Sequence, residues 1–191
     1  MVPPEGLRYD APMSPIPPTE EIPANLYAYW VLPGRLLAGA HPCFVAASEA
    51  PELLRALADS GVEVFLDLTE EGEAAGYDSW VRSQTGPSGR PSDYFRLGFR
   101  DMSVPSVQQM ARVLDRVDDA LRAGRATYVH CLGGLGRTGM VVGCHLVRHG
   151  IAGDEALVEI ERLRQPLKNA FSLSPVTNAQ RRFVSGWRIG S

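Results

Sequence analysis

The chain predicts an α/β sandwich built on a mainly parallel sheet. Short apolar runs alternate with segments of helical periodicity, which is the pattern of strands covered by helices. The run 62–68 is largely apolar, as a strand buried on both faces requires. The run 126–130 leads into a glycine-rich loop and then an apolar helix, so a strand C-terminus carries the most distinctive loop of the sequence.

At 191 residues the chain fits one domain with a full core. Its net charge of −3 gives no general attraction to nucleic acid or an anionic membrane, so any affinity for phosphate must be local. The three cysteines have no framework spacing and suggest free thiols in a reducing compartment. The N-terminal residues lack the basic and apolar regions of a signal peptide, and no apolar run approaches a membrane span. The expectation is a cytoplasmic protein.

Residues 1–24 hold seven of the prolines and are expected to form an extended arm ahead of a single domain over 25–191. Strands are expected at 27–31 and 36–40, with Pro33-Gly34 as the turn between them. His41-Pro42-Cys43 follows, and Cys43 is read as a half-buried loop thiol. A helix over 48–60 tolerates Pro51 in its first turn and ends at Gly61. The strand 62–68 opens into a long polar loop, 69–91, whose acidic start, Glu70, Glu71 and Glu73, reads as solvated. After a strand at 94–99, Ser106 and Gln109 have the spacing of a capping box. Val107, Met110, Leu114, Val117 and Leu121 then mark one helix face up to Gly124. Further helices are expected at 137–149, 154–165 and 175–187.

The stretch His130-Cys131-Leu132-Gly133-Gly134-Leu135-Gly136-Arg137-Thr138 is built as an anion cradle. Its glycines let the backbone turn and bring N–H groups inward. The following helix N-terminus adds unpaired N–H groups and a positive dipole end. Arg137 adds a planar fork suited to phosphate. All three features favour the thiolate of Cys131, the reactive form of a cysteine. A thiolate facing a bound phosphate suggests covalent phosphoryl transfer.

The string His130-Cys131, five residues, then Arg137-Thr138 resembles the active-site signature of the cysteine-dependent protein tyrosine and dual-specificity phosphatases. The segment Tyr29 to Gly39 is similar to bacterial members of that family. The resemblance implies a three-layer fold, a phosphocysteine intermediate and no metal or other cofactor. It implies Cys131 as nucleophile, with Arg137 and the amides of Leu132, Gly133, Gly134, Leu135 and Gly136 as the phosphate loop. It further implies that Thr138 donates to the sulfur of Cys131 and that His130 orients the loop. The leaving oxygen needs a proton. Asp101 lies thirty residues before Cys131, between a strand and a capped helix, in a stretch similar to the family's acid loop. Asp67, Glu70 and Asp93 are the competing acids.

Gln180 is either a residue that positions the hydrolytic water, as in some relatives, or an ordinary surface glutamine. His145 and His149 have the i, i+4 spacing of zinc ligands, but no third ligand follows at a suggestive spacing. The helix C-terminal dipole accounts for His149. The implied substrates are phosphorylated proteins, carrying phosphotyrosine and also phosphoserine or phosphothreonine, or small phosphate esters. The cradle interior has no lysine, which disfavours highly phosphorylated inositides. The alternatives are a phosphoinositide or small-molecule phosphatase, a silent phosphobinding module, and a rhodanese-like sulfur transferase.

Overall fold

A computed structural model describes residues 22–44, 48–188 and 190. The proline-rich arm expected over 1–24 lies outside the described residues as far as residue 21. A 3₁₀ turn, Ala24–Leu26, leads into β1 (Tyr29–Leu32) and β2 (Leu36–Ala40). Then follow α1 (Ala50–Asp59), β3 (Val62–Asp67), α2 (Asp78–Arg82), β4 (Asp93–Arg96) and α3 (Val107–Arg122). The chain continues as β5 (Ala126–Cys131), α4 (Gly136–Arg148), α5 (Gly153–Arg164) and α6 (Asn178–Gly186).

The five strands form one sheet in the order β1-β2-β5-β3-β4. Only the β1–β2 pair is antiparallel, so the sheet is mainly parallel as expected. Side chains along β5 alternate between two cores. Val129 and Cys131 pack with α3, α4, α5 and α6 on one face. Tyr128 packs with Leu53, Leu54 and Leu57 of α1 and with Tyr77 and Val81 on the other. The result is three layers, with the sheet between two helical coverings.

α4 is buried along nearly its whole length, Gly136 to Val147. Such a helix needs apolar residues all round, which Met140, Val141, Val142, Leu146 and Val147 supply. Full burial stabilises each of these side chains by about 1.5–3 kcal/mol. α3 starts where the sequence placed it. The Ser106 hydroxyl accepts from the Gln109 amide at 3.1 Å, and the Gln109 side chain accepts from the Ser106 amide at 2.9 Å.

Three expectations shift. The strand expected at 94–99 ends at Arg96. The polar loop 69–91 contains a short helix, α2, whose Tyr77, Trp80 and Val81 pack inward at i, i+3 and i+4. The last helix begins at Asn178 rather than 175, because Thr177 caps it with Gln180 in a second capping box.

The pairing of the parallel strands places the site. Ala40 of β2 lies beside Cys131, Asp67 of β3 beside His130, and Arg96 of β4 beside Asp67. The segments that leave β2, β3, β4 and β5 therefore emerge along one edge of the sheet.

Candidate active site

Cys131 ends β5 and is almost fully buried at the floor of the loop that follows. Gly134 turns that loop with φ +71°, a conformation glycine adopts without a steric penalty. It also presses on β2: a Cβ there would stand 2.6 Å from the Gly39 carbonyl carbon. The His41 amide donates to the Leu132 carbonyl at 2.9 Å, closing the other side of the loop.

Arg137 sits in the first turn of α4 with its side chain wholly buried. A buried guanidinium must be paired. Nη1 donates to the Leu68 carbonyl at 3.1 Å, the Phe99 carbonyl at 3.2 Å and Glu73 Oε2 at 2.7 Å. Nη2 donates to Glu73 Oε1 and lies 3.2 Å from Asp101 Oδ1. Glu73 thus takes the guanidinium end-on, across both terminal nitrogens. Nε is buried and has no acceptor. Nε, on the side edge of the fork, is the donor that these contacts do not use. The hydrogen bonds from Arg137 hold the Glu73 carboxyl below its usual range.

Asp101 stands at the mouth, with its side chain 54% exposed and next to Arg137. Among the competing acids, Asp67 is buried beneath the loop. It accepts from the Thr69 amide at 2.8 Å, the Thr69 hydroxyl at 2.7 Å and the Tyr94 hydroxyl at 2.6 Å. Burial pushes its carboxyl up, but His130 and these hydrogen bonds more than reverse that, and the net effect is downward. Its oxygens are committed to structure. Asp93 pairs with Arg125, and Glu70 is exposed.

His130 is wholly buried, with Nδ1 3.2 Å from the Cys131 carbonyl oxygen and Nε2 at the Tyr77 hydroxyl. Burial pushes its pKa down. Its contacts are those of a brace behind the loop. The Thr138 hydroxyl departs from expectation: it donates to the Gly39 carbonyl at 3.3 Å, fastening α4 to β2 rather than reaching the sulfur. Gln180 also departs from a surface reading. It is buried, donates to the Ser103 carbonyl at 3.2 Å, and lies over Gly136, where a Cβ would come within 3.1 Å of its amide. It therefore links the segment bearing Asp101 to the cradle. Cys43 is half-buried as expected, and burial raises its thiol pKa.

Glu73 and Tyr77 carry no role in the sequence alone: Glu73 belongs to the acidic start expected to be solvated, and Tyr77 to the long polar loop expected over 69–91. The usable signal was topological: a loop leaving β3 must emerge beside the loop leaving β5. Tyr77 also begins the apolar i, i+3, i+4 triplet of α2.

The geometry has counterparts in known proteins. A mouse "Protein tyrosine phosphatase domain-containing protein 1" is 27% identical over 156 residues, covering 76% of this chain and 20% of the mouse protein. An Arabidopsis thaliana protein named "Phosphatidylinositol 3,4,5-trisphosphate 3-phosphatase and protein-tyrosine-phosphatase PTEN1" is 28% identical over 128 residues, covering 66% of this chain and 30% of that one. The chain therefore spans a fifth to a third of the length of these relatives. The crystal structure of Tk-PTP in its active form superposes with TM-score 0.64 and 26% identity, covering 83% of this chain and 93% of that one. P. aeruginosa TpbA shares the fold at TM-score 0.61 and 18% identity, covering 91% of each chain. A family model described as "Polymorphic toxin system, DSP-PTPase phosphatase" matches residues 39–151, which contain Cys131, Arg137, Asp101 and Glu73. This chain belongs to that dual-specificity and protein tyrosine phosphatase family.

Proposed function

We propose that the protein is a metal-independent phosphate monoester hydrolase acting on phosphorylated proteins through a phosphocysteine intermediate. One observation carries the reading: a wholly buried guanidinium beside the cysteine loop, braced at its end by Glu73, with Nε lacking an acceptor. A buried donor without a partner costs stability, and an oxyanion in the loop would satisfy it.

In the first step the sulfur of Cys131 attacks phosphorus while Asp101 protonates the departing oxygen. Arg137 and the amides of Leu132 to Gly136 hold the equatorial oxygens as charge redistributes. In the second step the Asp101 carboxylate takes a proton from water, which displaces the sulfur. Gln180, bound to the Asp101 segment through Ser103, would orient that water. His130 keeps the loop backbone in position, and Thr138 anchors the helix behind it.

The three cysteines are free thiols, which suits a reducing cytoplasm. The matching family model's description names a polymorphic toxin system. The Arabidopsis relative's name raises a second substrate class, phosphoinositides. A panel of phosphotyrosyl and phosphothreonyl peptides and soluble inositol phosphates, combined with acid quench to trap labelled enzyme, tests the reading. Turnover of the peptides with label on Cys131 supports it. Turnover of inositol phosphates alone selects the second class. Turnover without covalent label contradicts the intermediate.

A further inference from the structure

We propose that Asp118 of α3, His145 of α4 and His149, which follows the last residue of α4, form a zinc site toward the far ends of these two helices. The histidines lie one helical turn apart, and α3 supplies the third ligand that the sequence spacing could not reveal. Asp118 Oδ1 is 3.6 Å from His145 Nδ1 and 3.0 Å from His149 Nε2. One donor atom from each residue falls within 4.8 Å of the others. Tetrahedral zinc with bonds of about 2.0–2.1 Å holds its ligand atoms about 3.3 Å apart. The cluster therefore needs only small side-chain rotations to close on an ion.

The surroundings suit a cation. The second carboxylate oxygen of Asp118 accepts from Arg148 at 3.1 Å, which fixes the carboxylate and leaves Oδ1 turned to the imidazoles. Asp115 pairs with the same guanidinium at 2.7 Å and offsets its charge. His145 is wholly buried between the two helices, and a neutral imidazole is the form that binds metal. His149 is 23% exposed and gives the site its opening to solvent, where water completes the coordination.

The site is separate from the phosphate cradle and does not depend on the catalytic reading. His145 lies nine residues along α4 from Gly136, about 14 Å of helix. α3 follows the segment bearing Asp101, and α4 begins at the cradle, so the ion would clamp the two helices that carry the reactive groups.

The test is calorimetric titration of Zn²⁺ into chelator-stripped full-length protein carrying Cys131→Ser, which removes the active-site sulfur as a rival ligand. The same titration is made with His149→Ala and with Asp118→Asn added. His149 is at the solvent edge, so its replacement keeps the fold, as circular dichroism checks, even if Asp118→Asn does not. The proposal expects one ion per chain, weakened at least about tenfold by His149→Ala. It also expects a zinc-dependent rise in Tm that His149→Ala removes. Cobalt in place of zinc should give visible bands without a sulfur charge-transfer band. No binding, unchanged binding in His149→Ala, or a sulfur charge-transfer band would overturn it.

Discussion

Glu73 grips the outer end of the Arg137 guanidinium with both carboxylate oxygens, while Nε is buried without an acceptor. The pair joins the loop after β3 to the first turn of α4, and it holds a buried cation in one orientation. Glu73→Ala should leave Arg137 tied only to the Leu68 and Phe99 carbonyls and to Asp101. The expected loss in kcat/KM is about 10–100-fold, the scale of a misplaced catalytic group. Glu73→Gln keeps the shape without the charge and should fall between. Steady-state kinetics on an aryl phosphate decide this. A gain in activity would mean that the carboxylate competes with substrate for the guanidinium.

Asp101 is exposed at the mouth and close to Arg137, where a leaving oxygen would emerge. Asp101→Asn should slow hydrolysis by about 10²–10⁴-fold for leaving groups that need a proton. Phosphates of acidic phenols should suffer least. A series of substituted phenyl phosphates measures the dependence, and an equal loss across the series would assign the acid to another residue.

Gly134 combines a left-handed φ of +71° with close packing on β2. Gly134→Ala should strain the backbone and force the loop from Gly39, lowering stability by about 2 kcal/mol or more. Urea denaturation reads the stability, and phosphate binding reads the loop. Near wild-type values for both would contradict the described loop path.

Buried histidines set the acid limit of stability. Burial, then His130, pushes His41 down to about 4; Arg96 acts in the same direction, while Asp67 and Glu73 oppose. The unfolded chain binds the proton near pH 6.5. Between that pH and about 4 the unfolded state carries more protons, so stability falls as pH falls, by about 1.4 kcal/mol per pH unit for each such group. His130 acts in the same direction. Denaturation at a series of pH values should show a shallower decline in His41→Asn. Parallel curves would contradict the buried neutral state of His41.

The cradle was legible because its parts are contiguous: strand, glycines, arginine and helix occur within a dozen residues. Asp101 was legible because a strand end and the Ser106 cap bracket it. Glu73, Tyr77 and Asp118 were not, since each acts on a residue 64, 53 or 27 positions away and only the sheet and helix packing bring them together. Thr138 shows the reverse limit. Its position in the motif was plain, but the close approach of α4 to β2 gives its hydroxyl a backbone acceptor on Gly39. Gln180 reads as a surface residue from α6 alone and is buried because the Ser103 segment lies across it.

Everything proposed for the cradle turns on Cys131 being the nucleophile of a metal-independent phosphatase. The most direct measurement is hydrolysis of p-nitrophenyl phosphate by wild type and Cys131→Ser, with EDTA present throughout. Turnover is expected from the wild type and none from Cys131→Ser, which should still bind phosphate in the cradle. Equal turnover by both proteins would contradict it.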